Sequence, residues 1–342
     1  MNRGRAKRFL VRCDACSDVG FGHLRRCIAL AQHLEKAGSF VLFVCRVKSA
    51  SDLRMFRGLK TEIKILDWVT DSQADAMLVT DFCKEYEIDL TIIDHYRADF
   101  IYQCILQDKG VRWLQFDWAA QGPILADLVV SSSPAANYEK YRQIVQKETV
   151  RLLLGPQYVI LSSEFNKSAL LRERDGMVRR VLILMGGGGD RGAISLALDA
   201  VLLLPESLRQ NISWEIVSGG TNPNLDAIRK MLKEHSGEIK AQLIVDADDV
   251  ATRISKADLA ITSGGTVAYE TAVLRCPSII ISIADNQVAN AVAWDDLGTS
   301  QYLGVVESLS PAHLADCIAV LVKSPETVRD MSEMAASVID SQ

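Results

Sequence analysis

His23 is the residue with the most chemistry to offer. It ends the loop Ser17-Asp18-Val19-Gly20-Phe21-Gly22, where a short apolar run (residues 9–14) gives way to a helical pattern beginning Leu24-Arg25-Arg26. Glycines let backbone N–H groups approach a bound molecule closely, and a helix start favours an anion by about 0.3–1 kcal/mol. An imidazole in that first turn can act as a general base toward water or a hydroxyl; a helix-capping or merely exposed histidine is the plainer account. Arg25 holds the place of the third glycine in Gly20-x-Gly22-x-x-Gly, so the dinucleotide pattern is incomplete. A second loop, Met185 to Gly192, does contain Gly187-x-Gly189-x-x-Gly192. The next apolar run ends Ser218-Gly219-Gly220 with no acid for a ribose, and no Gly-Lys-Ser/Thr follows, so neither a dinucleotide fingerprint nor a Walker loop is completed. A phosphate contact at Gly187, Gly188 and Gly189 remains. In a third loop, Gly264-Gly265-Thr266 leads to Tyr269-Glu270, and the pattern puts Glu270 in a first helical turn. A carboxylate there can accept both hydroxyls of a ribose while free N–H groups face a diphosphate; compensation of the helix dipole would place a glutamate there equally well. Asp285-Asn286-Gln287 follows another strand-like run, and polar loops in succession on one edge favour a nucleotide site over any single loop.

Such loops need a scaffold that gathers strand ends, and the sequence supplies one twice. Apolar runs at 9–14, 41–45, 62–67, 90–96, 111–117 and 125–131 alternate with segments of helical period, and a second set begins near 179 and continues through 213–220, 241–247, 259–265, 278–284 and 302–306. This is the pattern of βαβ units around parallel sheets. The expected fold is α/β, with two doubly wound, Rossmann-like domains facing a central cleft. In the first helix Leu24, Ile28, Ala31 and Leu34 form the buried stripe and Gly38 the stop. The expected domains are 1–160, carrying sugar contacts and the base, and 178–342, carrying the nucleotide. Residues 161–177, after the Gly155-Pro156 break and through the charged stretch Arg172 to Asp175, are the expected linker. Ligands of such sheets bind at the carboxyl ends of the strands, so the glycine loops should open into one cleft.

The chain has 342 residues, 49 % hydrophobic and 24 % charged, with 21 glycines and 8 prolines, which describes neither a disordered nor a fibrous protein. Lysine and arginine total 38 against 43 acids, a net charge of −5, so no nucleic-acid partner is expected and a small molecule is the better candidate. Phe9, Leu10 and Val11 are interrupted by Arg12 and Asp14, too short a run for an export signal, and no run approaches the about 18 residues of a membrane span. A cytoplasmic location is expected. The eight cysteines lie scattered in apolar segments, and Cys13 and Cys16 lack a second pair at ligand spacing, so no metal site and no cofactor are expected.

Several motifs together resemble a known group. Arg12-x-Asp14, Gly20-x-Gly22-His23-x-x-Arg26-Cys27, Asp94-His95-Tyr96-x-x-Asp99, Gly155-Pro156-x-Tyr158, Gly187 to Asp190, Asn222-Pro223-Asn224, Gly264-Gly265 with Tyr269-Glu270, and Asp285-Asn286-Gln287 occur in the order seen in the UDP-sugar hydrolases of pseudaminic acid biosynthesis. These are similar to spore-coat polysaccharide proteins and to the transferase that makes lipid II. The resemblance spans about residues 9 to 300 and implies a GT-B-like fold and a cytoplasmic, metal-independent nucleotide-sugar hydrolase, expected as a monomer. It implies hydrolysis of UDP-2,4-diacetamido-2,4,6-trideoxy-β-L-altropyranose at the anomeric carbon, with His23 activating water. Substrate contacts would come from Asp14, Gly20, Gly22, Arg26, Tyr96, Asn286 and Gln287, and nucleotide contacts from Gly187, Gly188, Gly189, Gly264, Gly265, Thr266 and Glu270. The chain departs from the group's pattern at Arg191-Gly192-Ala193, at Ser162-Ser163, at Thr266-Val267-Ala268, where hydroxyls are lost, and at Asp117-Trp118, where the group has an Asp-Asp pair. The alternative is a GT-B glycosyltransferase in which His23 deprotonates an acceptor hydroxyl; for it, the basic and apolar segment Arg46 to Lys60 would be a membrane-facing patch. A non-catalytic nucleotide-sugar binder would be expected to lose the histidine.

Overall fold

The computed structural model describes residues 5–15, 22–47, 56, 59–66, 71–118, 120–166, 171–186 and 189–339. The chain divides into two compact units, residues 1–162 and 163–342. In the first, the strands are β1 (Arg8–Ala15), β2 (Phe40–Val47), β3 (Glu62–Ile65), β4 (Leu90–Asp94), β5 (Trp113–Phe116), β6 (Leu128–Ser131) and β7 (Arg151–Leu154). Among the described residues they form one parallel sheet in the order β3-β2-β1-β4-β5-β6-β7. β1 lies between β2 and β4, so both of its edges are paired, and helices cover both of its faces. Val11 and Cys13 pack with Leu24, Cys27, Ile28 and Ala31 of α1 (Gly22–Lys36). Leu10 points the other way, to Ala76 and Val79 of α2 (Ser72–Glu85) and to Tyr102 and Leu106 of α3 (Phe100–Asp108). This two-sided burial is why the strand reads as a continuous apolar run rather than an alternation. Leu34 is partly buried against the α1 side, and Gly38, at φ +80°, closes the helix as Ser39 N–H donates to Leu34 O.

β7 corrects the sequence reading, which left residues 152–154 between the two sets of strands. It pairs with β6 as the sheet's edge, Val129 opposite Leu152 and Ser131 opposite Leu154. Three leucines abutting Gly155-Pro156 are too few to register as a strand; pairing with β6 supplies what the local sequence lacks. The membrane patch is also corrected in part. Arg46 is fully buried, and Phe56 is buried with its ring 5.2 Å from that of Phe43; residues 48–55, 57 and 58 lie outside the described residues. Among the described residues no helix is long and apolar enough to cross a membrane.

In the second unit, α4 (Tyr138–Ile144) having closed the first, the strands are β8 (Arg180–Leu184), β9 (Ser213–Ser218), β10 (Ala241–Val245), β11 (Leu259–Ser263), β12 (Ser278–Ser282) and β13 (Ser300–Val305). Among the described residues their order is β10-β9-β8-β11-β12-β13, again parallel. β11 and β12 are buried along their whole length. Around them run α5 (Ala193–Leu203), α6 (Glu206–Asn211), α7 (Leu225–Glu234), α8 (Val250–Lys256), α9 (Thr266–Val273), α10 (Val288–Asp296), α11 (Pro311–Val322) and α12 (Pro325–Val338). Within 161–177, Arg174 is buried and donates to Leu274 O at 2.9 Å, while Arg172 pairs with Asp258 at 2.5 Å. Both sheets reverse strand order at their middle, between β1 and β4 and between β8 and β11, and at such a switch point the loops leaving neighbouring strands diverge and leave room for a ligand.

Candidate active site

The β1/β4 switch point of the first unit gathers a histidine, a carboxylate and a guanidinium. Asp94 is the last residue of β4, opposite Cys13 of β1, and is fully buried. His23, in the first turn of α1, places Nδ1 2.5 Å from Asp94 Oδ1. Arg26, one turn further along the same helix face, grips the carboxylate with both arms: Nε to Oδ2 and Nη2 to Oδ1, each 2.5 Å. Cys27 Sγ adds a weak donor at 3.3 Å. Burial opposes charge on Asp94, but Arg26 and then His23 outweigh it and hold the carboxyl well below the usual carboxylate range. Nδ1 of His23 faces both Asp94, at 2.5 Å, and the donor Arg26 Nη2, at 3.0 Å; an ionised Asp94 can only accept, so the shorter contact favours the proton on Nδ1 and a lone pair on Nε2. That is the arrangement of a carboxylate-oriented general base.

Two aromatic rings flank the imidazole. Tyr96, two residues after Asp94, lies edge-on to His23 with centroids 4.8 Å apart, and Trp118, just past β5, lies 5.7 Å from it. Arg26 also sits 4.7 Å over the ring of Phe116.

Behind the site lies a second ionic network on the α2 face of the sheet. Arg12 donates to Asp14 at 2.5 Å and to both oxygens of Asp75, at 3.0 and 2.6 Å, while Arg46 pairs with Asp75 and comes within 3.6 Å of Asp14. Tyr102 Oη donates to Asp75 at 3.3 Å. Two arginines against two carboxylates leave this buried cluster near neutrality, the condition under which buried charge is tolerated. His95 is buried against it with Nδ1 accepting from Arg97 N–H at 3.2 Å. Burial, and then the charge of Arg12, lower its pKa from 6.5 to about 3. An unfolded His95 therefore binds a proton that the folded one refuses between those values, and the stability present above pH 6.5 is lost as the pH falls toward 3, by up to about 1.4 kcal/mol per unit. His95→Asn keeps an acceptor for Arg97 N–H but does not titrate. Its unfolding free energy in urea should fall less steeply from pH 6.5 to 4.5 than the parent's; parallel slopes would show that another group carries the acid limb.

In the second unit, the loop after β8 turns at Gly186, φ +101°, into Asp190, a buried residue whose carboxylate accepts from Gly192 N–H and Ile194 N–H at 3.2 Å each and from Asn224 Nδ2 at 2.5 Å. Asp190 therefore caps α5 and ties its entrance to the Asn222-Pro223-Asn224 loop. The loop after β11 runs through Gly264, where a Cβ would stand 2.9 Å from Gln287 O, so only glycine fits. Gln287 accepts from Ile283 N–H at 3.0 Å, and its amide lies beside Gly265. Asp285–Gln287 form a single 3-10 turn with Asn286 exposed. Gly264, Gly265 and Gln287 thus come together at the carboxyl edge beside exposed Thr266. Glu270 departs from the reading in one respect: α9 starts at Thr266, so Glu270 is its fifth residue, buried in the second turn, and the first turn carries no acid. Dipole compensation acts within the first turn and loses its basis here.

His23, Arg26 and Tyr96 are assembled in the first unit, with Gly22 as the opening residue of α1. Asp14 is turned into the buried network instead of toward solvent. Gly20, Gly187 and Gly188 lie outside the described residues. The sequence reading missed Asp94 as the partner of His23, although an aspartate closing the run Leu90-Thr91-Ile92-Ile93 at a carboxyl edge was a readable signal. It also missed the roles of Asp75 and Arg46, whose pairing no spacing reveals. Among the described residues no group of three His, Cys, Asp or Glu could hold a metal.

No family model matches the chain. It is 28 % identical over 284 residues to the UDP-2,4-diacetamido-2,4,6-trideoxy-beta-L-altropyranose hydrolase of Campylobacter jejuni, covering 82 % of this chain and 94 % of that protein. It is 25 % identical over 203 residues to the spore coat polysaccharide biosynthesis protein SpsG of Bacillus subtilis, covering 59 % of this chain and 55 % of that one. The crystal structure of Acinetobacter baumannii MurG superposes with a TM-score of 0.72 at 15 % identity, over 98 % of this chain and 96 % of the other. The resemblance read from the motifs is therefore shown by comparison, and the fold is that of the GT-B proteins, built from two Rossmann-like domains.

Proposed function

We propose that this chain is a UDP-sugar hydrolase acting at the anomeric carbon of an amino-deoxy sugar of the pseudaminic-acid-precursor type. The observation that carries the reading is the His23–Asp94 pair, which leaves Nε2 of His23 as an acceptor at the carboxyl edge of the sheet. Nε2 takes a proton from water as the water oxygen bonds to C1; the bond from C1 to the phosphate oxygen breaks and UDP leaves with the electron pair. Backbone N–H groups in the loops at Gly187 to Gly189 and Gly264 to Thr266 offset the charge growing on the diphosphate, and Glu270 accepts from the ribose hydroxyls. Asp14 and Arg26, committed to internal ion pairs, hold the site together, while Tyr96, Asn286 and Gln287 contact the sugar. The similarity to the Campylobacter jejuni hydrolase over most of both chains supports this substrate class.

The test is incubation with UDP-2,4-diacetamido-2,4,6-trideoxy-β-L-altropyranose in 18O-water without an acceptor. UDP and free sugar should appear, with the label in the sugar. No turnover until an acceptor hydroxyl is supplied would identify a transferase, and label in UDP would place the attack at phosphorus. For the nucleotide, charge-assisted hydrogen bonds of about 1.5–3 kcal/mol predict that Glu270→Ala weakens UDP binding about tenfold or more in calorimetry, with the melting temperature as the control for folding. An unchanged UDP affinity would return Glu270 to a packing role.

A further inference from the structure

We infer that Trp118, with Tyr96, forms an aromatic platform that receives the apolar face of the pyranose ring and sets it against His23, an assignment that rests on the hydrolase reading above. The tryptophans of the described interior, Trp113, Trp214 and Trp294, are fully buried, as large aromatics in a core are. Trp118 is 38 % exposed and Tyr96 49 % exposed, yet they touch each other at 4.4 Å and 75°, and both stand edge-on to the imidazole. The three rings make an open corner with the reactive histidine as one wall. The neighbouring chain explains why Trp118 projects there. Asp117 is held by the loop: its N–H donates to Val130 O at 2.9 Å, and its carboxylate accepts from Ala120 N–H at 2.8 Å and Tyr141 Oη at 2.6 Å. With Asp117 anchored inward, its neighbour is turned outward along the same carboxyl edge as Asp94.

A pyranose presents axial C–H groups on one face and hydroxyl or amide groups around its rim. The electron-rich face of an indole attracts the first and makes no demand on the second. A nucleobase would stack on the same rings, but the platform adjoins the proposed base, where C1 and its sugar must lie. An indole at this position grips the face of the ring and leaves its rim groups unbonded, so Trp118 is a specificity-determining residue.

The experiment compares Trp118→Ala and Trp118→Phe with the parent. With UDP-2,4-diacetamido-2,4,6-trideoxy-β-L-altropyranose, Trp118→Ala should raise KM about tenfold or more and Trp118→Phe less than threefold, with the UDP inhibition constant unchanged for both. In parallel, the free sugar and N-acetylglucosamine are titrated by intrinsic fluorescence, which needs no turnover. A saturable change in the parent that is lost in Trp118→Phe supports the platform even if no UDP is released, the outcome that would overturn the hydrolase reading alone. Equal losses of UDP-sugar and UDP affinity would overturn the proposal in favour of a nucleobase platform. An unchanged KM in Trp118→Ala, or a flat titration with both sugars, would overturn it in favour of simple packing against His23.

Discussion

Replacing His23 by alanine should lower kcat at least a hundredfold and leave the UDP inhibition constant within about twofold of the parent's. A positioned general base contributes about 10²- to 10⁴-fold, equivalent to about 3–5 kcal/mol of barrier, and a neutral water is a poor nucleophile without one. UDP affinity should be untouched because the loops proposed to bind it follow strands of the second unit, whereas His23 belongs to the first. The fold should survive, since Asp94 keeps both of its bonds to Arg26 when His23 is gone. Partial recovery of the lost rate by added imidazole, with none for His23→Phe, which fills the space, would locate the missing function in the ring nitrogen. Near-parental hydrolysis by His23→Ala would mean that the water is activated elsewhere, and the structure points next to Tyr96, because Asp14 is turned into an ion-pair network.

The strands that read most directly from the sequence are those buried on both faces. Leu259 to Ser263 and Ser278 to Ser282 announce themselves because a parallel sheet covered by helices tolerates only apolar runs, and their glycine or polar ends mark where the chain turns at the site. β7 stayed hidden although the edge strands β3, β10 and β13 did not, because its three leucines run straight into Gly155-Pro156, which reads as a break in the chain. At the site the difference is similar. His23 and the glycines are legible because a loop that bends onto a helix start needs particular residue types. The burial of Glu270 depends on where α9 begins, early enough to put Glu270 in the second turn instead of the first, and helix starts are fixed by backbone geometry that composition specifies loosely. Arg46 looked like a surface cation among other basic residues; only the packing of β2 against α2 shows that its charge is spent on Asp75. Long-range pairs of this kind leave no periodic trace along the chain.

Asp94→Asn should be nearly as damaging as loss of the histidine, with kcat down about 10²- to 10⁴-fold, for two reasons that separate experimentally. The first is the tautomer. An asparagine amide can donate to Nδ1, which moves the imidazole proton to Nε2 and removes the lone pair proposed to accept a proton from water. The second is charge. Among the described residues Asp94 is the carboxylate that pairs with Arg26, and Arg26 is about three-quarters buried, so removing the anion leaves a cation poorly solvated and should cost about 1–3 kcal/mol of stability once its partial exposure is allowed for. Arg26→Met in the Asp94→Asn background removes that cation and should restore most of the stability without restoring kcat. If His23 and Asp94 act as one unit, the double variant His23→Ala with Asp94→Asn should be no slower than His23→Ala alone, because an orienting carboxylate has nothing left to orient. Losses that multiply would mean that Asp94 acts on the reaction independently of the imidazole, and Asp94→Asn with parental kcat would reduce the pair to an ion-pair strut beneath α1.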